Sequence, residues 1–217
     1  MNFRLWRKRA IWLPTWRGWL GLLVIGSVAA VTAVHRIHPF LAVTRPVPAN
    51  VLVIEGWIGD TSLQSVAGEI RSTNYEWIFT SGIPLENGSY LVEYRTHADV
   101  AAHTLVKMGL PAGKVLAAPA PETRRDRTFS SAVAVADAVR AKGIAVRGIN
   151  VISEGPHARR TRRAYERAFD GEMAIGIIAT VPRDYDATHW WRYSEGIKTV
   201  ISETAALVGD LLFPVTR

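Results

Sequence analysis

From residue 50 onward, five short apolar runs alternate with stretches of helical spacing. The runs are NVLVIEG (50–56), EWIFTSG (76–82), KVLAAP (114–119), INVIS (149–153) and MAIGIIA (173–179). Each is too short for a core helix, and apolar side chains follow one another without polar alternation. A strand built this way must be covered on both faces, which is the condition of a central parallel sheet. The intervening stretches, about 61–72, 93–109, 129–142 and 157–169, carry helical spacing, and a last amphipathic stretch covers 194–212. KMGLP and AKGI place Gly behind a basic residue, as a helix C-terminus favours. Strand and helix in alternation predict an α/β domain over 50–213, with a mainly parallel sheet of about five strands between helical layers.

The N-terminus obeys a different rule. Residues 18–34 carry no charge. Four Trp (Trp6, Trp12, Trp16, Trp19) gather before or at the start of this run, where indoles favour the headgroup layer. Five basic residues precede the apolar run, and Arg36 and Arg45 follow it. The pattern predicts a basic cytoplasmic tail (1–17), one transmembrane helix (18–36) and a Pro-containing linker (37–49), with the domain beyond the plasma membrane. A cleaved export signal, for which SVAAVTAV supplies small residues, is the alternative.

Charge narrows the partners. The chain has 26 basic and 19 acidic residues, and seven basic and no acidic ones lie in residues 1–45, leaving 19 of each in the remainder. The domain is therefore neutral and lacks the basic footprint of a nucleic-acid reader. No Cys is present, so neither disulfides nor thiolate metal sites are available. His97 and His103 do not have metal-ligand spacing, and no metal site is expected. GxSxG, Walker and GxGxxG patterns do not occur.

In open parallel sheets, ligands bind beyond the carboxyl ends of the strands. The first exit, EGWIGD, offers Glu55, Gly56 and Asp60; the second, TSG, offers Ser81 and Gly82. The third, TRRDRTFSS, brings Arg127, Thr128 and Ser131 to a helix start. The fourth, SEGPHARRTRR, brings Ser153, His157, Arg159 and Arg160 to another. A helix N-terminus already favours anions, and Arg makes forked contacts with their oxygens. Two such starts on one rim predict a shared pocket for a phosphate, carboxylate or nucleotide-like group. Arg163 and Arg167 lie further along the helix and are expected in solvent or against the membrane. Ala158, Tyr165 and Phe169 share the face expected against the sheet. Glu203, acidic among apolar neighbours, is the expected partner of one arginine, and Trp190 and Trp191 are expected to pack as a lid.

The order of FTSG, RTFSSA, VISEGPHARR and WW…SEGIKTVISE resembles the ElyC/SanA/YdcF family of bacterial proteins over residues 50–212. That family shows a strand ending in Ser-Gly, then Thr-x-Glu-Asn-Ala, Ser-x-x-His-x-x-Arg, and a late Trp with a Glu-bearing helix. Here Ser130 and Ser131 replace the Glu and Asn, and one extra residue separates Ser153 from His157. The resemblance implies a Rossmann-like domain, often tethered by one helix, and a role in envelope biogenesis touching peptidoglycan or its lipid carrier. It implies no settled reaction, and the cofactor is left open. The expected partners are the membrane and an anionic small molecule or lipid-linked precursor. The expected function is ligand binding in an extracytoplasmic pocket. The alternatives are hydrolase or transferase chemistry with His157 and Arg160 as catalytic residues, and a scaffold for membrane proteins.

Overall fold

A computed structural model describes residues 12–88 and 93–214. Most of the basic tail expected over 1–17 lies outside them. The chain divides into two compact units, residues 1–36 and 37–217.

Residues 16–36 of the first unit are helical. Helix α1 (Trp16–Leu41) has 26 residues, is long and apolar enough to cross a membrane, and has its apolar stretch exposed. About 20 apolar residues span a bilayer core, so the length suffices.

The second unit holds β1 (Val51–Glu55), α2 (Asp60–Ser72), β2 (Trp77–Gly82), α3 (His97–Lys107), β3 (Val115–Pro119), α4 (Arg127–Ala141), β4 (Ile149–Glu154), α5 (Ala158–Ala168), β5 (Ile175–Thr180) and α6 (Ser194–Leu212). All four strand pairings are parallel, in the order β3-β2-β1-β4-β5. The five strands and five helices expected from the apolar runs are all present.

The apolar strands explain the layering. Along β1, Val51 and Val53 join the core under α4 and α5, while Leu52 and Ile54 join the core under α2 and α3. All five residues of β1 are buried, as a strand covered on both faces requires. Ala158, Tyr165 and Phe169 of the α5 region are fully buried against the sheet, on the face the spacing predicted.

Residues 37–49, expected as a linker, are instead built into this unit. His38 and Leu41 are buried, and His38 Nε2 lies 3.1 Å from the Tyr185 hydroxyl. Arg45 exchanges both backbone hydrogen bonds with Ile177 of β5 (2.7 and 3.1 Å). Asn150 then holds Val47 like a second strand. Its Oδ1 accepts from the Val47 amide and its Nδ2 donates to the Val47 carbonyl, both at 2.9 Å. Three Pro do not make a free tether when β5 presents an unpaired edge that the segment can cover.

Replacing Asn150 by Ala removes both bonds to Val47. The expected result is a loss of about 1–3 kcal/mol of stability and faster proteolysis within 42–49. Urea unfolding and limited proteolysis of the detergent-solubilised chain check this.

Candidate active site

The strand order changes direction between β1, which leads to β2, and β4, which leads to β5. A crevice opens outside the carboxyl ends of strands at such a switch point. Here it is a cavity of about 550 Å³, with Glu55 from the end of β1, Ser81 and Gly82 from β2, and Thr128 and Ser131 from α4 in its walls. His157, Arg160 and Glu203 complete it from the α5 start and from α6.

His157 is the centre. Gly155 to His157 form a single 3-10 turn before α5, and Gly155 sits at φ +46°. A Cβ there would meet Pro182 Cγ at 2.8 Å, so the turn needs glycine. The turn presents the imidazole with Nδ1 2.9 Å from Glu203 Oε1 and Nε2 3.2 Å from Thr128 Oγ1. Glu55 Oε1 lies 3.7 Å from Nε2. Arg160, one helical turn later, donates from Nε to Glu203 Oε2 (2.9 Å), from a terminal nitrogen to Oε1 (3.1 Å), and from the other to Thr128 Oγ1 (3.2 Å). The first terminal nitrogen also lies 3.0 Å from Nδ1. Nδ1 cannot accept from Arg160 and donate to Glu203 at once. The charged carboxylate is the better partner for its proton, which leaves Nε2 as the accepting nitrogen.

Burial would raise the Glu203 carboxyl, but the His157 hydrogen bond and charge, then those of Arg160, outweigh it and hold the pKa at about 2. Burial likewise opposes the Arg160 charge, and Glu203, Glu55 and Asp210 more than restore it, so its pKa is raised.

Beneath the cavity lie two groups of buried hydroxyls. The Thr161 hydroxyl donates to Glu55 Oε2 (3.2 Å) and lies 3.2 Å from Ser153 Oγ. The Tyr165 hydroxyl donates to Ser81 Oγ (3.0 Å), and burial pushes the Tyr165 pKa well up. At the mouth, Arg127 pairs with Glu86, and Arg124 is exposed beside them. Burial lowers the pKa of His97, against Glu86, which raises it, and with Arg127, which also lowers it. Trp57 is 44% exposed and meets the His157 ring edge-on, with centroids 5.1 Å apart. Among the described residues no three His, Cys, Asp or Glu cluster as metal ligands.

Nine of the expected residues line one cavity: Glu55, Ser81, Gly82, Arg127, Thr128, Ser131, His157, Arg160 and Glu203. Four do not. Gly56 is packed under His97, and its amide donates to the Ser81 carbonyl (2.6 Å). Asp60 is exposed as the first residue of α2. Ser153 is fully buried beside Thr161. Arg159 turns away, donating to the Phe40 carbonyl with its guanidinium 3.8 Å from that ring centroid. Consecutive helical residues point about 100° apart, so only one of Arg159 and Arg160 can face the cleft. Arg163 and Arg167, expected in solvent or at a membrane, both pair with Asp210 of α6. Trp190 is buried, as a packed lid residue would be.

Sequence reasoning placed Trp57 at the first strand exit without giving it a role, and did not assign His97, Asp126 or Thr161. Of these, Thr161 and Trp57 carried a signal: one lies a residue past Arg160, the other two past Glu55.

Glu203 has a depressed pKa, so its contribution to stability is complete above about 4.5, the ordinary value, and is lost as pH falls toward about 2. The melting temperature of wild type should drop across that window more steeply than that of Glu203→Gln, which should already be lower at pH 7. Thermal scans from pH 7 to pH 2 check this. No family model, curated protein or solved structure matches the chain.

Proposed function

We propose that this chain is a membrane-tethered enzyme of the bacterial cell envelope. Its cleft takes a phosphate-bearing ligand and works on it, as hydrolase or transferase, by acid–base chemistry at His157. The single observation that carries the reading is the imidazole held by Glu203 at Nδ1 and by a hydroxyl at Nε2 inside the cavity. A base oriented by a carboxylate is the arrangement of proton-transfer catalysis.

Charge separates turnover from plain capture. The cavity walls hold Arg124, Arg127 and Arg160 but also Glu55, Glu86, Asp126 and Glu203. A site that only traps anions gains nothing from a carboxylate on its imidazole and another on its best-buried arginine. An acid–base site needs both. Arg124 has no carboxylate within ion-pair distance among the described residues, and Arg127 is held by an exposed Glu86. These two guanidiniums are suited to meet phosphate oxygens at the mouth, while Arg160 stabilises charge deeper in.

The tether and the direction of export rest on the apolar helix and on the basic residues before it. The envelope substrate class, a peptidoglycan precursor or a phosphate-linked lipid carrier, rests on the resemblance of the ordered motifs.

Two experiments test this. The detergent-solubilised full chain should hydrolyse 4-nitrophenyl phosphate or its diester, with inhibition by pyrophosphate that weakens in salt. His157→Ala should lower the rate about 100- to 10,000-fold. Turnover indifferent to His157→Ala, or no turnover and no thermal stabilisation by pyrophosphate, overturns the proposal. Because the chain has no Cys, single cysteines report topology cleanly. Glu122→Cys should react with an impermeant maleimide in spheroplasts, and Thr15→Cys only after lysis.

A further inference from the structure

We infer that Thr128 is the nucleophile, so that the reaction passes through a covalent ester on its Oγ1. This rests on the acid–base reading of His157 and adds the group that attacks.

Several hydroxyls stand in or under the cleft, and most are committed elsewhere. Ser81 accepts from Tyr165, Thr161 donates to Glu55, and Ser153 is fully buried against Thr161. Among the described hydroxyls, Thr128 alone lies within hydrogen-bond distance of His157 Nε2, at 3.2 Å, while lining the cavity. Hydroxyl, imidazole and Glu203 carboxylate thus form a continuous relay of 3.2 and 2.9 Å. Nucleophile, base and orienting acid are the three parts of an activated hydroxyl.

Two further features favour the alkoxide. Arg160 donates to Thr128 Oγ1 at 3.2 Å. Thr128 is also the second residue of α4, a helix of 15 residues, where the free backbone amides and the positive end of the dipole stabilise negative charge. Asp126 precedes that helix in the left-handed conformation (φ 52°, ψ 49°), so α4 starts abruptly and its first turn opens onto the cleft. A water attacking directly would need the position on Nε2 that the Thr128 hydroxyl occupies.

The steps balance. The Thr128 proton moves to Nε2 as Oγ1 bonds to phosphorus. The bond from phosphorus to the leaving oxygen breaks, and that oxygen takes the proton from Nε2. Water or an acceptor hydroxyl then gives its proton to Nε2 and bonds to phosphorus, and Oγ1 leaves with the proton restored. The imidazolium formed in between lies beside Glu203 and 3.7 Å from Glu55.

A fluorophosphonate tests this on the full chain in detergent. Attack by the hydroxyl forms an O–P bond, releases fluoride and leaves a stable adduct. Peptide mass spectrometry should place the adduct on Thr128. Thr128→Ser should keep capture, Thr128→Val should abolish it, and His157→Ala should slow it about 100-fold or more. Melting temperatures close to wild type establish that the variants are folded. An adduct on another residue, or capture unchanged in Thr128→Val, overturns the inference. So does Thr128→Val that keeps His157-dependent turnover of 4-nitrophenyl phosphate, since water is then the nucleophile and the acid–base reading stands. Loss of turnover in wild type would instead remove that reading itself.

Discussion

The Glu203 carboxylate is the contact on which the site depends. A carboxylate withdrawn from water is unfavourable unless cations and donors replace the lost solvation. Here His157 and Arg160 do so with three contacts of 2.9 to 3.1 Å. The same contacts position α6 on α5, fix which imidazole nitrogen carries the proton, and fix where the guanidinium points. Seven residues later Asp210 repeats the arrangement with Arg163 and Arg167. Acids seven apart on α6 meet basic groups on α5 at similar intervals, because two turns of each helix return to nearly the same face. The dense positive charge of residues 157–167 is therefore a helix–helix interface on one flank and a wall of the cleft at its start.

That division was only partly legible in the sequence. The strands were, since five runs without polar alternation admit few placements other than a sheet covered on both faces. The rim was legible too, because parallel strands all deliver their exits to one side. Thr128, His157 and Arg160 came out together for this reason, although 29 residues separate Thr128 from His157. The partner of Arg163 and Arg167 was not legible. Asp210 reads as an ordinary helix-surface acid, and nothing in local spacing says which helix will lie opposite. Arg159 failed for the converse reason. It shares the first turn with Arg160, but a step of about 100° carries it to the other side, where it lies over Phe40.

The segment after α1 shows how composition can mislead. Pro46, Pro48 and the residues between them lack the periodicity of a strand or helix, so they read as a spacer. Backbone polar groups nevertheless seek partners, and β5 has one free edge. Arg45 supplies a pair of ladder bonds there, and Asn150, fully committed from inside β4, supplies the next pair through its side chain. A buried Asn in a strand is a signal worth reading, since its amide can stand in for a peptide group.

The stretch between Ser153 and His157 has a structural meaning as well. It ends in the 3-10 turn of Gly155 to His157, with Gly155 in a conformation closed to other residues by Pro182. His157 consequently stands just ahead of α5 rather than within it. Arg160, within α5, reaches both α4 and α6 with its long side chain. Standing ahead of α5, His157 bridges the same two, with Nε2 on Thr128 of α4 and Nδ1 on Glu203 of α6. The turn thus makes His157 the middle link between α4 and α6 at the start of α5.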